Sequence, residues 1–190
     1  MMTWNVRRRE VLGAGALGAA AAGLGGLSGP ALARNTPATL IEESAVPESR
    51  MFASTFADVG LAARVIRIDR SLGGLLHELD EATGLIVGLT SDPAAMIASQ
   101  LLVERGANPR LVWKHHYESG KWRHQTEGAP RLLESATLAW PAAVAHAVRD
   151  AIGGKSDRRS STCNSGSCAL ALSSPGMLVS WAFEIGGRQS

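Results

Sequence analysis

Residues 85–89 read Leu-Ile-Val-Gly-Leu without a polar break, and Thr90-Ser91-Asp92-Pro93 follows at once. An apolar run of this length, closed by a helix-start signal, predicts a strand covered on both faces. Ser91 or Asp92 can cap the next helix, and Pro93 suits its first turn. A strand with two covered faces needs helices above and below it, which commits the chain to layers of helix and sheet. Hydrophobic residues are 45% of the 190, enough for an ordinary core, and charged ones are 19%. These proportions exclude disordered and fibrous classes.

The flanking pattern agrees. Thr39-Leu40-Ile41 predicts a short first strand, and 49–59 a helix with Met51, Phe52, Phe56 and Val59 at helical spacing. Residues 63–68 read as a strand, 71–82 as a helix, and 93–105 as another that stops at Gly106. A strand at 111–117 returns at 121–125 through a three-residue turn at 118–120, and 132–152 is helical with a bend at Pro141. Residues 153–167 predict a polar loop. Residues 169–172 and 177–185 predict a hairpin around Ser173-Ser174-Pro175-Gly176, its second strand having one buried face. The expectation is an α/β fold: a three-layer domain with a mainly parallel sheet and an antiparallel C-terminal hairpin. Residues 34–152 make the α/β domain, and 153–190 add a loop and hairpin that pack on it.

The first 33 residues have a different character. Arg7-Arg8-Arg9-Glu10 precedes an Ala, Gly and Leu run, and Ala31-Leu32-Ala33 closes it. A basic start, an apolar middle and a small-x-small end make a signal peptide that is removed after Ala33. Arg8-Arg9-Glu10-Val11-Leu12 resembles the motif of twin-arginine signal peptides, although Arg7 stands where Ser or Thr is usual and Gly13 where Lys is frequent. The resemblance implies export of a folded chain, with Arg8, Arg9 and Leu12 read by the twin-arginine translocase and Ala31 and Ala33 by signal peptidase. An uncleaved anchor is the alternative, but seven glycines between residues 13 and 29 would partition weakly into lipid. Gly13-Ala14-Gly15-Ala16-Leu17-Gly18 matches a dinucleotide fingerprint in letters only, because arginines rather than a strand precede it. Without residues 1–33 the basic count falls from 19 to 16 and the acidic from 17 to 16. The mature charge is zero, so no nucleic-acid partner is expected, and after cleavage no membrane contact either. A second resemblance rests on Arg50-x-Phe52-Ala53, Gly60, Asp69 and Gly88-Leu89-Thr90. These are similar to a family of small twin-arginine-exported bacterial proteins without assigned function, over about residues 40–117. It implies a fold and a periplasmic location and supplies no catalytic residues.

Three groups of residues could carry chemistry. In open parallel sheets, ligands sit at the carboxyl ends of strands. With strand order 2-1-3-4, Glu42, Glu43, Ser44, Thr90, Ser91 and Asp92 would line that crevice, with Asp69 one strand away. The helix start at Pro93 would offer free N–H groups there, although Asp92 opposes an anion and plain capping is the simpler reading. The second group is the hairpin. With a three-residue turn, His116 and His124 share a face with Lys114 and Trp122, while Trp113, His115, Tyr117, Lys121 and Arg123 share the other. That arrangement suits a ligand or partner. No carboxylate of these strands completes a metal site, and none is expected. The third group is Cys163-Asn164-Ser165-Gly166-Ser167-Cys168. In an oxidising compartment this predicts a disulfide between Cys163 and Cys168, with a redox pair as the alternative. His77 and His146 read as surface or packing residues, and no G-x-S-x-G elbow is present.

The functional expectation is an exported periplasmic accessory or small-ligand-binding protein without catalysis of its own. One alternative is a small redox protein or accessory subunit of an exported oxidoreductase. Another is a hydrolase using the Ser91/Asp92 crevice with a hairpin histidine. Residues name no cofactor and identify neither the small-molecule ligand nor a larger exported partner.

Overall fold

The computed structural model describes residues 38–60, 62–127, 139–152, 158–163 and 170–186, with the backbone alone at 62, 63, 127 and 158–163. Residues 1–37, which include the expected signal peptide, residues 128–138 and 153–157, and the side chains of both cysteines lie outside the described residues. The elements in chain order are β1 (Ala38–Glu43), α1 (Pro47–Asp58), β2 (Ala62–Ile68), α2 (Gly73–Asp80), β3 (Gly84–Ser91), α3 (Asp92–Glu104), β4 (Asn108–Glu118), β5 (Lys121–Glu127), α4 (Trp140–Ala151), β6 (Arg158–Cys163) and β7 (Met177–Ile185).

The seven strands form one sheet in the order β2-β1-β3-β7-β4-β5-β6. β1 is parallel to β2 and β3, and every other neighbouring pair is antiparallel. Traced through these pairings, β5 and β7 alone run against the common direction. α1 and α4 cover one face, where Phe52, Phe56, Val144 and Val148 meet Leu40, Val87, Trp113, Trp122 and Leu178. α2 and α3 cover part of the other, where Leu75, Leu79, Ala98 and Leu102 meet Ile41, Ile66, Ile86, Val179 and Trp181. The architecture is the three-layer α/β domain expected from the pattern. β3 is buried from Leu85 to Ser91, as its apolar run requires. No helix among the described residues is long and apolar enough to cross a membrane.

β7 departs from its expected role. Residues 170–172 form no strand, and β7 pairs instead with β3 and β4, inserted between them. Its residues from Leu178 to Phe183 are buried on both faces. Ser180 and Ala182 read as the exposed side of a one-faced strand. They are small because helices cover that face too. Pro141 also differs: it lies in the first turn of α4, where a missing N–H costs nothing, and bends no helix.

The middle of the sheet depends on one glycine. Gly88 stands opposite Trp181, and a Cβ built on it would come within 2.8 and 2.9 Å of the indole ring. That ring is held by its Nε1–H, which donates to Thr90 Oγ1 at 3.0 Å. Gly88→Ala must therefore displace Trp181 and strain this bond. It should destabilise the fold by roughly 2–3 kcal/mol in urea unfolding, and an unchanged midpoint would show that the indole has room to move.

Candidate functional site

At the carboxyl end of β1 and β3 the polar groups predicted to face a ligand bind one another. Glu43 accepts from Ser91 N–H at 2.7 Å and from Ser91 Oγ–H at 3.0 Å, and all of this is buried. The Glu43 N–H donates to Ser49 Oγ at 2.8 Å. Ser91 is the residue before α3, yet its hydroxyl serves Glu43 and makes no side-chain cap. Thr90 is buried and taken by Trp181. Asp92 sits half-buried in the first turn of α3. Asp69 is exposed beyond β2, where it accepts from the Ser71 hydroxyl at 2.6 Å and the Ser71 N–H at 3.0 Å. Those bonds, the hydroxyl first, lower its pKa below the ordinary carboxyl value. The structure thus joins Glu43 to Ser91 and leaves Asp69 and Asp92 outside that contact.

The hairpin is tighter than its sequence suggested. Glu118 pairs with Lys121, so the turn holds two residues, Ser119 and Gly120, both at positive φ (52° and 79°). Primed turns of this kind match strand twist and favour glycine at the second position. One residue fewer in the turn shifts the register and exchanges the faces. His116 and His124 therefore do not share a face, which corrects the sequence expectation. His115 stands opposite His124, and His116 opposite Arg123. His116 lies half-buried on the other side, 3.9 Å from Glu118.

The corrected register builds a buried chain of hydrogen bonds under α4. His115 Nε2 and Ser180 Oγ are 2.7 Å apart, and His115 Nδ1 and His124 Nδ1 are 2.9 Å apart, one donating and one accepting. Serine and both histidines are fully buried. Trp140, the first residue of α4, covers them, with ring centroids 5.1 Å from His115, 5.0 Å from His124 and 4.6 Å from Trp122. Burial keeps His115 neutral, its pKa pushed well below the ordinary value, with His124 and then His116 adding to the effect. Burial, then His116, lowers His124 to about 4.

Several polar atoms of this face have no hydrogen-bond partner among the described residues: Trp113 Nε1, Trp122 Nε1, His124 Nε2, Thr126 Oγ1 and both carboxylate oxygens of Glu48. Trp113 is two residues before His115 on β4, and Trp122 and Thr126 flank His124 on β5, all five being buried. Glu48 is buried in the first turn of α1, which packs beside α4. Ser91 stands across from Leu178, and Leu178 from His115, so the Glu43–Ser91 pair and the histidines occupy one row across the sheet. A buried polar atom without a partner costs about 1–3 kcal/mol, and native proteins leave few.

Sequence reasoning singled out His124 but missed Ser180 and Glu48, and placed His115 on an unassigned face. A signal existed: Leu111, Trp113, His115 and Tyr117 alternate, as do Trp122, His124 and Thr126, and Ser119-Gly120 suits a two-residue turn. Among the described residues no group of three or more His, Cys, Asp or Glu is placed to hold a metal. The Cys163–Cys168 expectation falls outside the described side chains, though the Cys163 backbone stands opposite Trp122. Comparisons of the chain with family models, curated proteins and solved structures return no match.

Proposed function

We propose that this is an exported periplasmic protein that binds a small ligand without catalysing its conversion, and that the ligand sits among Trp113, Trp122, His124 and Trp140. The observation that carries this reading is four polar side chains, unpartnered among the described residues, on adjacent stretches of two strands, with the Trp140 ring over two of them. Ligand sites combine an aromatic lining with a few convergent polar groups, and these residues supply both. The Glu43–Ser91 crevice is a weaker candidate, because its polar groups already satisfy each other. Export by the twin-arginine translocase and cleavage by signal peptidase complete the proposal, supported by Arg8-Arg9 and by Ala31 and Ala33.

A second reading has an observation of its own. Ser180, His115 and His124 follow the order of nucleophile, base and orienting group, so the hydrolase alternative moves from Ser91 to Ser180. Ser180 is as fully buried as Trp113, Trp122 and His124, so either reading requires the layer over this face to open.

One set of measurements tests both. In a thermal-shift screen of the full chain, one chemical class should raise Tm, and it should do so less in Trp122→Phe. A screen without any stabilising class would overturn the binding reading. Covalent capture of Ser180 by a fluorophosphonate, abolished in Ser180→Ala, would replace it with the hydrolase. Cell fractionation should place the wild-type chain in the periplasm and Arg8→Lys/Arg9→Lys in the cytoplasm.

A further inference from the structure

The side of the sheet away from Trp140 is covered over only part of its width. Cross-strand partners share a face, so Val112, Lys114 and His116 of β4 stand on the same side as Trp181, Val179 and Met177 of β7. Lys121, Arg123 and Gln125 of β5 continue that side, opposite Glu118, His116 and Lys114. The α2/α3 layer buries Val179 and Trp181. Beyond β7 no described helix covers this side. Lys114, Lys121, Arg123 and Gln125 are exposed, as are Val112 and Met177. The surface is therefore stepped by about 10 Å, the width of one helix. α2 and α3 make its raised half, β4 and β5 its recessed half.

Antiparallel strands can face water on one side, and the lysines, arginine and glutamine suit that role. Water does not account for the apolar side chains. Of the nine large hydrophobics exposed among the described residues, five lie on this side: Leu76, Met96 and Val103 on the helices, Val112 and Met177 on the strands. Such a concentration marks an interaction surface. The halves also differ in charge. Asp80, Glu81 and Glu104 are exposed at the ends of α2 and α3. Arg105, half-buried between those ends, donates to the Leu79 and Ala82 carbonyls. On the strands Lys114 and Lys121 have no ion-pair partner among the described residues, while Arg123 shares Glu118 with His116. Acidic and apolar groups thus crown the raised half, basic and apolar groups the recessed one.

We propose that two copies of this chain pair about a two-fold axis through this side, the α2/α3 half of each seated on the bare β4–β5 half of the other. Such an isologous contact makes both halves pair at once and closes at two copies. Each copy supplies the helix layer that the other's strands lack, and the two halves attract by their opposite charge. A different acidic protein on the strands would leave Leu76, Met96 and Val103 uncovered, whereas a second copy covers both halves together.

Sedimentation velocity of the full chain at pH 7 should give twice the mass of one chain. Two double variants divide the surface: Met96→Lys/Val103→Lys on the helices and Val112→Asp/Met177→Asp on the strands. All four positions are exposed, so circular dichroism should show both variants folded. Each alone should raise the dimer dissociation constant at least about hundredfold, since charges then meet apolar cover. Mixed in equal amounts, the two should associate again, because one contact stays wild-type and the other sets lysines against aspartates. Met51→Lys, on α1 across the sheet, should leave the dimer intact. A wild-type chain that sediments as a monomer or as an open polymer overturns the inference. So does a dimer that survives the strand variant, which would show that the helices alone meet, or one that Met51→Lys disperses.

Discussion

Acid should unfold this protein from a histidine pair in its interior. In the fold His124 titrates near 4, against an ordinary value of 6.5, and His115 lies well below that value too. An unfolded chain therefore takes up protons between those limits that the native state refuses. Stability is complete above pH 6.5 and falls as pH drops toward 4. His124 alone accounts for roughly 3 kcal/mol across that window, at about 1.4 kcal/mol per pH unit. His115, also lowered by its burial, adds to the slope. Asp69 contributes only in stronger acid, since its lowered pKa lies below the carboxyl value of 3.8. Urea unfolding at pH 7, 6, 5 and 4 should show the loss, and His124→Gln should make it smaller. A wild-type stability that stays level from pH 7 to 5 would mean that the pair is hydrated, contrary to its burial.

The second large effect belongs to Trp140. Its ring lies over His115, His124 and Trp122 at once, so it is the seal on the hydrogen-bonded chain. Trp140→Ala should cost roughly 3–5 kcal/mol from lost burial and the cavity left behind. It should also admit water and let the His124 pKa climb from about 4 toward 6.5. Histidine ring resonances followed by NMR against pH give the second readout. Trp140→Phe keeps a partial seal and should show a smaller form of both effects. A folded Trp140→Ala with His124 unmoved would show that the surrounding helices, and not this ring, exclude solvent.

Much of the frame is legible from residue order. Leu85 to Leu89 reveal a central strand because both of their faces need apolar side chains. The alternation before and after it marks β1, α1, β2, α2 and α3 within a few residues. β7 hides its position because Ser180 and Ala182 look like a solvent face. They are small where α4 and the histidines crowd the sheet, and only the tertiary packing distinguishes smallness from exposure. The site was half visible for a related reason. His115 and His124 can be named from the sequence, but their pairing depends on whether the turn between the strands has two residues or three. That single residue decides which histidine enters the core. Glu48 carries no local signal, since an acidic residue in the first turn of a helix is common there and normally faces water.

The place of β7 in the sheet has a consequence for biosynthesis. β3 and β4 touch β7 rather than each other, so until Met177–Ile185 has emerged the sheet of the nascent chain lies in two parts, β2-β1-β3 and β4-β5-β6, joined only through the packing of α1 against α4. The contacts that join them span long stretches of sequence, which makes the final step slow. A chain cut short between β5 and β7 leaves the facing edges of β3 and β4 unpaired and open to aggregation.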